Sequence, residues 1–335
     1  MKYILVFIGL LFTVQLVTGQ TITLVEQDKP TSIRGLSVVN DHVAWVSGSK
    51  GHVGLSTNGG QTWAWQQVKG FEQSDFRDIE AFSDKEAIIM SSGTPAVILK
   101  TIDGGAIWKE VYRQDDKVYF LDAMAFANVK HGYAMGDPIN GKFLLLETID
   151  GGQTWHQFIN QPPALPGEAA FAASGTCLFA NERSNELVMV TGGTTARMIT
   201  INEGKVAAEV LPVTQGQSAT GIFSYATGSG YEVFTGGNYE KNKRTDSVAC
   251  YRAIGKQKAK PILALTQPAG YQSCVAYLKG LTFISTGTSG SNLTTDGGQN
   301  WKHIDTTSYN VCQKAKKGNL VMLAGDKGKM ALFKL

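Results

Sequence analysis

Short apolar runs closed by a small residue and a glycine recur along the chain: AWVSG ending at Gly48, IIMSSG at Gly93, GYAMG at Gly136, VMVTG at Gly192, EVFTG at Gly236, FISTG at Gly287 and VMLAG at Gly325. Each is preceded by another short run, in order LSVV, IEAF, AMAF, AAFAAS, GIFSY, CVAYL and NVCQK. Runs this short, bounded by Gly, Asn, Asp and Ser, read as strands, and no stretch carries the period of an amphipathic helix. After most of the glycine-closed runs a third strand enters a polar turn and a fourth leaves it. Seven units of four short strands predict an all-β chain folded as one seven-bladed β-propeller over residues 21–335.

The polar turn is itself a repeat. Ser56-Thr-Asn-Gly-Gly-Gln-Thr-Trp63, Thr101-Ile-Asp-Gly-Gly-Ala-Ile-Trp108, Thr148-Ile-Asp-Gly-Gly-Gln-Thr-Trp155 and Thr294-Thr-Asp-Gly-Gly-Gln-Asn-Trp301 share one pattern and hold four of the six tryptophans. A weakened copy that keeps the turn and loses the Trp is expected at Thr200-Ile-Asn-Glu-Gly-Lys, and another, decayed past recognition, near Asp246 to Arg252. The Asp or Asn can accept backbone N–H bonds, the glycines take φ > 0, and the Trp packs on neighbouring strands. Asp103, Asp150 and Asp296 are therefore read as turn residues, not as catalytic acids. The last unit ends after its third strand, ALFKL at 331–335, while TITLV at 21–25 stands without a partner, so the N-terminal strand is expected to complete the last blade.

These turns resemble Asp-box repeats, also called BNR repeats, as in sialidases and sortilin-type receptors. Over the whole mature length the chain resembles the photosystem II stability and assembly factor family, most closely in LSVVNDHVAWVSGSKGHVGLSTNGGQTW and FRDIEAFSDKEAIIMSSG. The resemblance implies an exported single propeller that binds an assembling membrane protein and has no known catalysis. The chain departs from the pattern in Asn58 for Asp, in Ile107 for Thr, and in the missing Trp of units four and five.

Composition narrows the alternatives. Thirty-one Lys and Arg against 28 Asp and Glu leave a net charge of +3 over 335 residues, too little for a nucleic-acid footprint. Lys2 followed by a mostly apolar Ile4–Val17 and the small residues of Val17-Thr18-Gly19 reads as a signal peptide over residues 1–19, which places the mature protein in the periplasm or outside the cell. The four cysteines, Cys177, Cys250, Cys274 and Cys312, form no CxxC, and the five His are scattered, so no metal site is indicated. P-loop, GxSxG and HExxH motifs are all missing, and no GxGxxG opens a helix, so no cofactor is expected.

Propellers bind at the channel mouth, so charged residues beside the innermost strands are the candidate partner-binding or ligand-binding positions. Arg34 and Arg77 occupy equivalent places in SIRGLSV and DFRDIEA, and Asp78 and Asp122 in FRDIEAF and FLDAMAF. Glu168 precedes the presumed inner strand of unit four, while Asp137 and Arg197 follow the third and fourth glycine-closed runs. Buried charges of this kind also pair between blades to fix a ring. No catalytic residue is assigned. A sialidase would need an arginine cluster, and the chain has seven Arg and no Phe-Arg-Ile-Pro segment. The sequence is read as a monomeric scaffold for a protein partner at or near a membrane. A glycan-binding or glycan-cleaving propeller is the alternative, and a redox enzyme with a site invisible in sequence is a third reading.

Overall fold

The computed structural model describes residues 19–255 and 259–335, so the signal-peptide expectation falls, except for Gly19, outside the described residues. Seven antiparallel sheets follow one another along the chain. The blades begin with the inner strands Ile33–Val38, Asp75–Ala81, Leu121–Phe126, Leu178–Asn181, Thr220–Gly228, Cys274–Lys279 and Val311–Lys314. The glycine-closed runs are the second strands of the seven blades, and their side chains are almost all buried. Thr21–Glu26 pairs antiparallel with Met330–Lys334, from Thr21 opposite Lys334 to Glu26 opposite Met330. Blade seven therefore takes its outer strand from the other end of the chain, which closes the ring.

The four Asp-box turns share one hydrogen-bond set. The side-chain oxygens of Ser56, Thr101, Thr148 and Thr294 accept from the N–H of Gly60, Gly105, Gly152 and Gly298 at 2.8–3.1 Å. The same hydroxyls donate to Asn58, Asp103, Asp150 and Asp296 at 2.8–3.0 Å. Each of those side chains then accepts from the N–H four residues on. The second glycine also presses on the preceding blade. Gly152 has φ +78°, and a Cβ there would meet Ile88 Cδ1 at 2.4 Å. The box is thus a clamp between blades as well as a turn, and the ring of Trp155 completes it edge-on to Phe126 at 5.9 Å.

Two expectations need correction. AAFAAS is not the inner strand of blade four; that strand is Leu178–Asn181, and the AAFAAS residues cross the channel. The decayed box near Asp246 to Arg252 is not a turn either, because Ala249–Ala253 is the third strand of blade five. Blade four replaces the box with a tight hairpin in which Asn202 pairs with Lys205 around Glu203 and Gly204, both at positive φ. A two-residue loop leaves no room for a Trp, which accounts for its loss there.

Asp150→Ala should lower the unfolding free energy by about 1–2 kcal/mol, because the N–H groups of Gln153 and Thr154 lose their acceptor. Urea unfolding checks this, and an unchanged midpoint would show that the clamp does not stabilise the ring.

Candidate functional site

Between blades three and four the chain leaves the ring wall and passes through its centre. Glu168–Ala169 pairs with Gly192–Gly193, which pairs in turn with the inner strand of blade five. Residues 170–176 then run across the channel with no strand beside them, so their backbone groups must find other partners. Asp137 Oδ1 accepts from Ala170 N–H at 3.2 Å. Arg77 and Arg34 donate to the carbonyls of Ala172 and Ala173 at 3.4 and 3.2 Å. Ser174 Oγ donates to the Ser273 carbonyl at 2.8 Å, and the Thr176 carbonyl accepts from Tyr225 N–H at 3.0 Å. Gly175, at φ +72°, lies against Asp78, where a Cβ would fall 2.4 Å from the carboxyl carbon. Five blades hold this segment.

The segment divides the channel. Ala170–Ala173 line a vestibule of about 440 Å³ at the mouth where the inner strands begin, and Gly175 and Thr176 line a cavity of about 380 Å³ on the other side. The vestibule wall is sorted by blade. Blades one and two bring Arg34 and Arg77, blade three brings Asp122 and Asp137, blades five and six bring Phe223, Tyr239 and Tyr271, and blade seven brings Asn310 and Asp326. Phe171 stacks on Phe223 with centroids 3.9 Å apart, and Tyr271 meets Phe223 edge-on at 4.8 Å. Burial pushes Asp122 well above the ordinary carboxylate value; the charge of Asp137 adds to this, and Arg77 and the Ala172 backbone oppose it. Burial also raises Asp137, against the Ala170 hydrogen bond. A surface with fixed guanidinium groups, carboxyls and aromatic rings over a closed floor suits a peptide-sized ligand with polar and apolar parts.

The sequence profile of the family described as "Photosynthesis system II assembly factor YCF48" matches residues 19–118, which span the first two blades. The solved structure "YCF48 bound to D1 peptide" is 14% identical, covers 96% of each chain and superposes with a TM-score of 0.65. YCF48 from Cyanidioschyzon merolae, also 14% identical, covers 93% of this chain and 98% of its own with a TM-score of 0.63. The chain thus has the propeller fold of these solved structures, and its first two blades resemble the photosystem II assembly factor family. The same blade arrangement also serves an enzyme: virginiamycin B lyase from Staphylococcus aureus is 13% identical, covers 95% of this chain and 99% of its own, and has a TM-score of 0.67. No curated protein matches the sequence.

Within this propeller the candidate charges fall into three settings. Arg34, Arg77, Asp122 and Asp137 share the vestibule. Glu168 and Arg197 instead form a buried pair beneath the entry to the crossing segment, with Nε–Oε1 at 2.8 Å and Nη2–Oε2 at 2.5 Å, joined by the Thr191 hydroxyl. Asp78 is 5% exposed and accepts from the N–H of its neighbour Ile79 and of Met124, tying blade two to blade three. Among the described residues no group of three or more His, Cys, Asp or Glu is placed to hold a metal ion, and the four cysteines are buried and unpaired.

Sequence reasoning missed Phe171, Phe223, Asn310 and Asp326, and gave Tyr239 and Tyr271 no role. A signal for one was present, since Asp326 follows Gly325 as Asp137 follows Gly136. Phe171 had none, because the crossing segment has no counterpart in other units.

Burial raises Asp78 from the usual 3.8 to about 7, against the Met124 and Ile79 hydrogen bonds. The folded chain then holds a proton that the unfolded chain releases, so this group makes stability fall as pH rises from about 4 to 7. Asp78→Asn should flatten that part of the pH–stability curve relative to the parent. Melting temperatures across the window check it, and an identical slope in both proteins would contradict the assignment.

Proposed function

We propose that the protein is an exported, non-catalytic scaffold that takes a peptide segment of a protein partner into the vestibule, and that the partner belongs to an assembling membrane or envelope complex. The observation carrying this reading is the closed floor with Arg34 and Arg77 set in its wall. The floor blocks passage through the ring, and the two guanidiniums offer planar donors to main-chain carbonyls or carboxylates while their own backbone contacts hold them in place. Rigid anchors of this sort lose little entropy on binding.

The resemblance of the first two blades to the YCF48 family supports a protein ligand, since YCF48 has been solved with a D1 peptide. Fold alone would not separate this reading from catalysis, because the lyase shares it. Export rests on the apolar run after Lys2, and the membrane setting of the partner rests on the resemblance to the assembly factor family.

The test is capture of a degenerate octapeptide pool by the immobilised protein, with peptide recovery measured by mass spectrometry. Arg34→Ala/Arg77→Ala should retain about tenfold less peptide, the scale of losing one arginine anchor, while melting as a folded protein. Equal recovery on parent and variant, or no recovery on the parent, would overturn the proposal.

A further inference from the structure

The acidic wall of the vestibule is unusual in what it lacks. Asp122 is only 1% exposed, and its Oδ2 has no hydrogen-bond partner although the residue lines the cavity. Asp137 stands close enough for its charge to act on Asp122. Neither carboxyl makes an ion pair among the described residues: Arg77, whose charge acts on Asp122, bonds Asp75 at 2.7 Å and the Ala172 carbonyl instead, and Arg34 bonds the Ala173 carbonyl. Two carboxyl groups left together in a desolvated wall are costly unless something completes them.

What lies beside them indicates the missing group. Asp137 holds Ala170 N–H, so the next residue, Phe171, starts the aromatic stack with Phe223 one position from the carboxyl pair. Tyr239, 46% exposed, closes edge-on to Phe223 at 6.2 Å. Carboxyls at the end of an aromatic surface suit a long side chain with an apolar stem and a cationic tip: the stem lies on the rings and the tip meets the oxygens. A cationic tip also favours the ionised form of carboxyls that burial otherwise holds toward the protonated form, which a neutral donor does not.

We propose that Asp122 and Asp137 form a subsite for a lysine or arginine side chain of the peptide that the vestibule receives. This rests on the peptide-binding reading above and adds its specificity. Arg34 and Arg77 take the main chain or a carboxylate on one side, and the acidic pair selects a cation on the other.

The degenerate octapeptide pool tests this through the sequences retained. On the parent protein, lysine plus arginine should be enriched roughly tenfold at one position, the scale of a hydrogen bond to a charged group. A matched pool with norleucine for lysine and citrulline for arginine should be retained correspondingly less. Asp122→Asn and Asp137→Asn, both near-isosteric, should each reduce the enrichment among the peptides they retain. Capture without cation enrichment, enrichment of neutral donors instead, or enrichment unchanged in both variants would overturn the subsite and leave the scaffold reading standing. No capture at all would overturn both.

Discussion

A stretch of backbone laid through the middle of a β-ring has no neighbouring strand to satisfy it, so its N–H and C=O groups need other partners. Residues 170–176 meet this constraint with side chains from the surrounding blades. Asp137 takes an N–H, Arg77 and Arg34 give protons to two carbonyls, Ser174 reaches blade six, and Gly175 fits against Asp78 because it has no side chain. The Glu168–Arg197 pair fixes the point where the chain enters. Charges at the starts of inner strands are thus first of all the supports of this segment. Their second role follows from the first, because the guanidiniums held by these carbonyls also line the vestibule.

The rest of the ring makes these supports rigid. Each Asp-box joins its own hairpin to the blade before it, as when Gly60 lies against Met322 and closes blade one onto blade seven. The N-terminal strand completes blade seven by antiparallel pairing with Met330–Lys334, so a break in the circle would have to open a strand ladder. In the cavity on the other side of the floor Lys316 and Glu80 are paired, whereas in the vestibule the buried Asp122 Oδ2 lacks a partner. Rigidity and local lack of satisfaction at one mouth are what a binding surface requires.

Repetition made most of the fold legible in the sequence. The glycine-closed runs marked all seven second strands, and the box motif marked four of the turns, since each pattern keeps the same physical role wherever it recurs. The ring closure could be read from TITLV and ALFKL because one had no partner and the other lacked one. What escaped was whatever happens once. AAFAAS has the apolar character of an inner strand, yet it follows Gly167 and precedes Gly175, and those positive-φ residues take it off the wall and across the channel. Because that segment was misplaced, Phe171 and its partners Phe223 and Tyr271 could not be recognised as one surface. Arg34 and Arg77 were found by repeat equivalence, but their bonds to the crossing carbonyls were not foreseeable without it.

The central claim is that residues 170–176 form a fixed floor, held by the charges around it. Hydrogen–deuterium exchange of the folded protein, read on peptides spanning residues 168–177, measures this most directly. The account predicts exchange at Ala170 and Ala172 as slow as in the blade strands, and faster exchange in Arg34→Ala/Arg77→Ala. Exchange in the parent as fast as in the exposed Asp-box turns would mean that the channel is open and that no fixed floor exists.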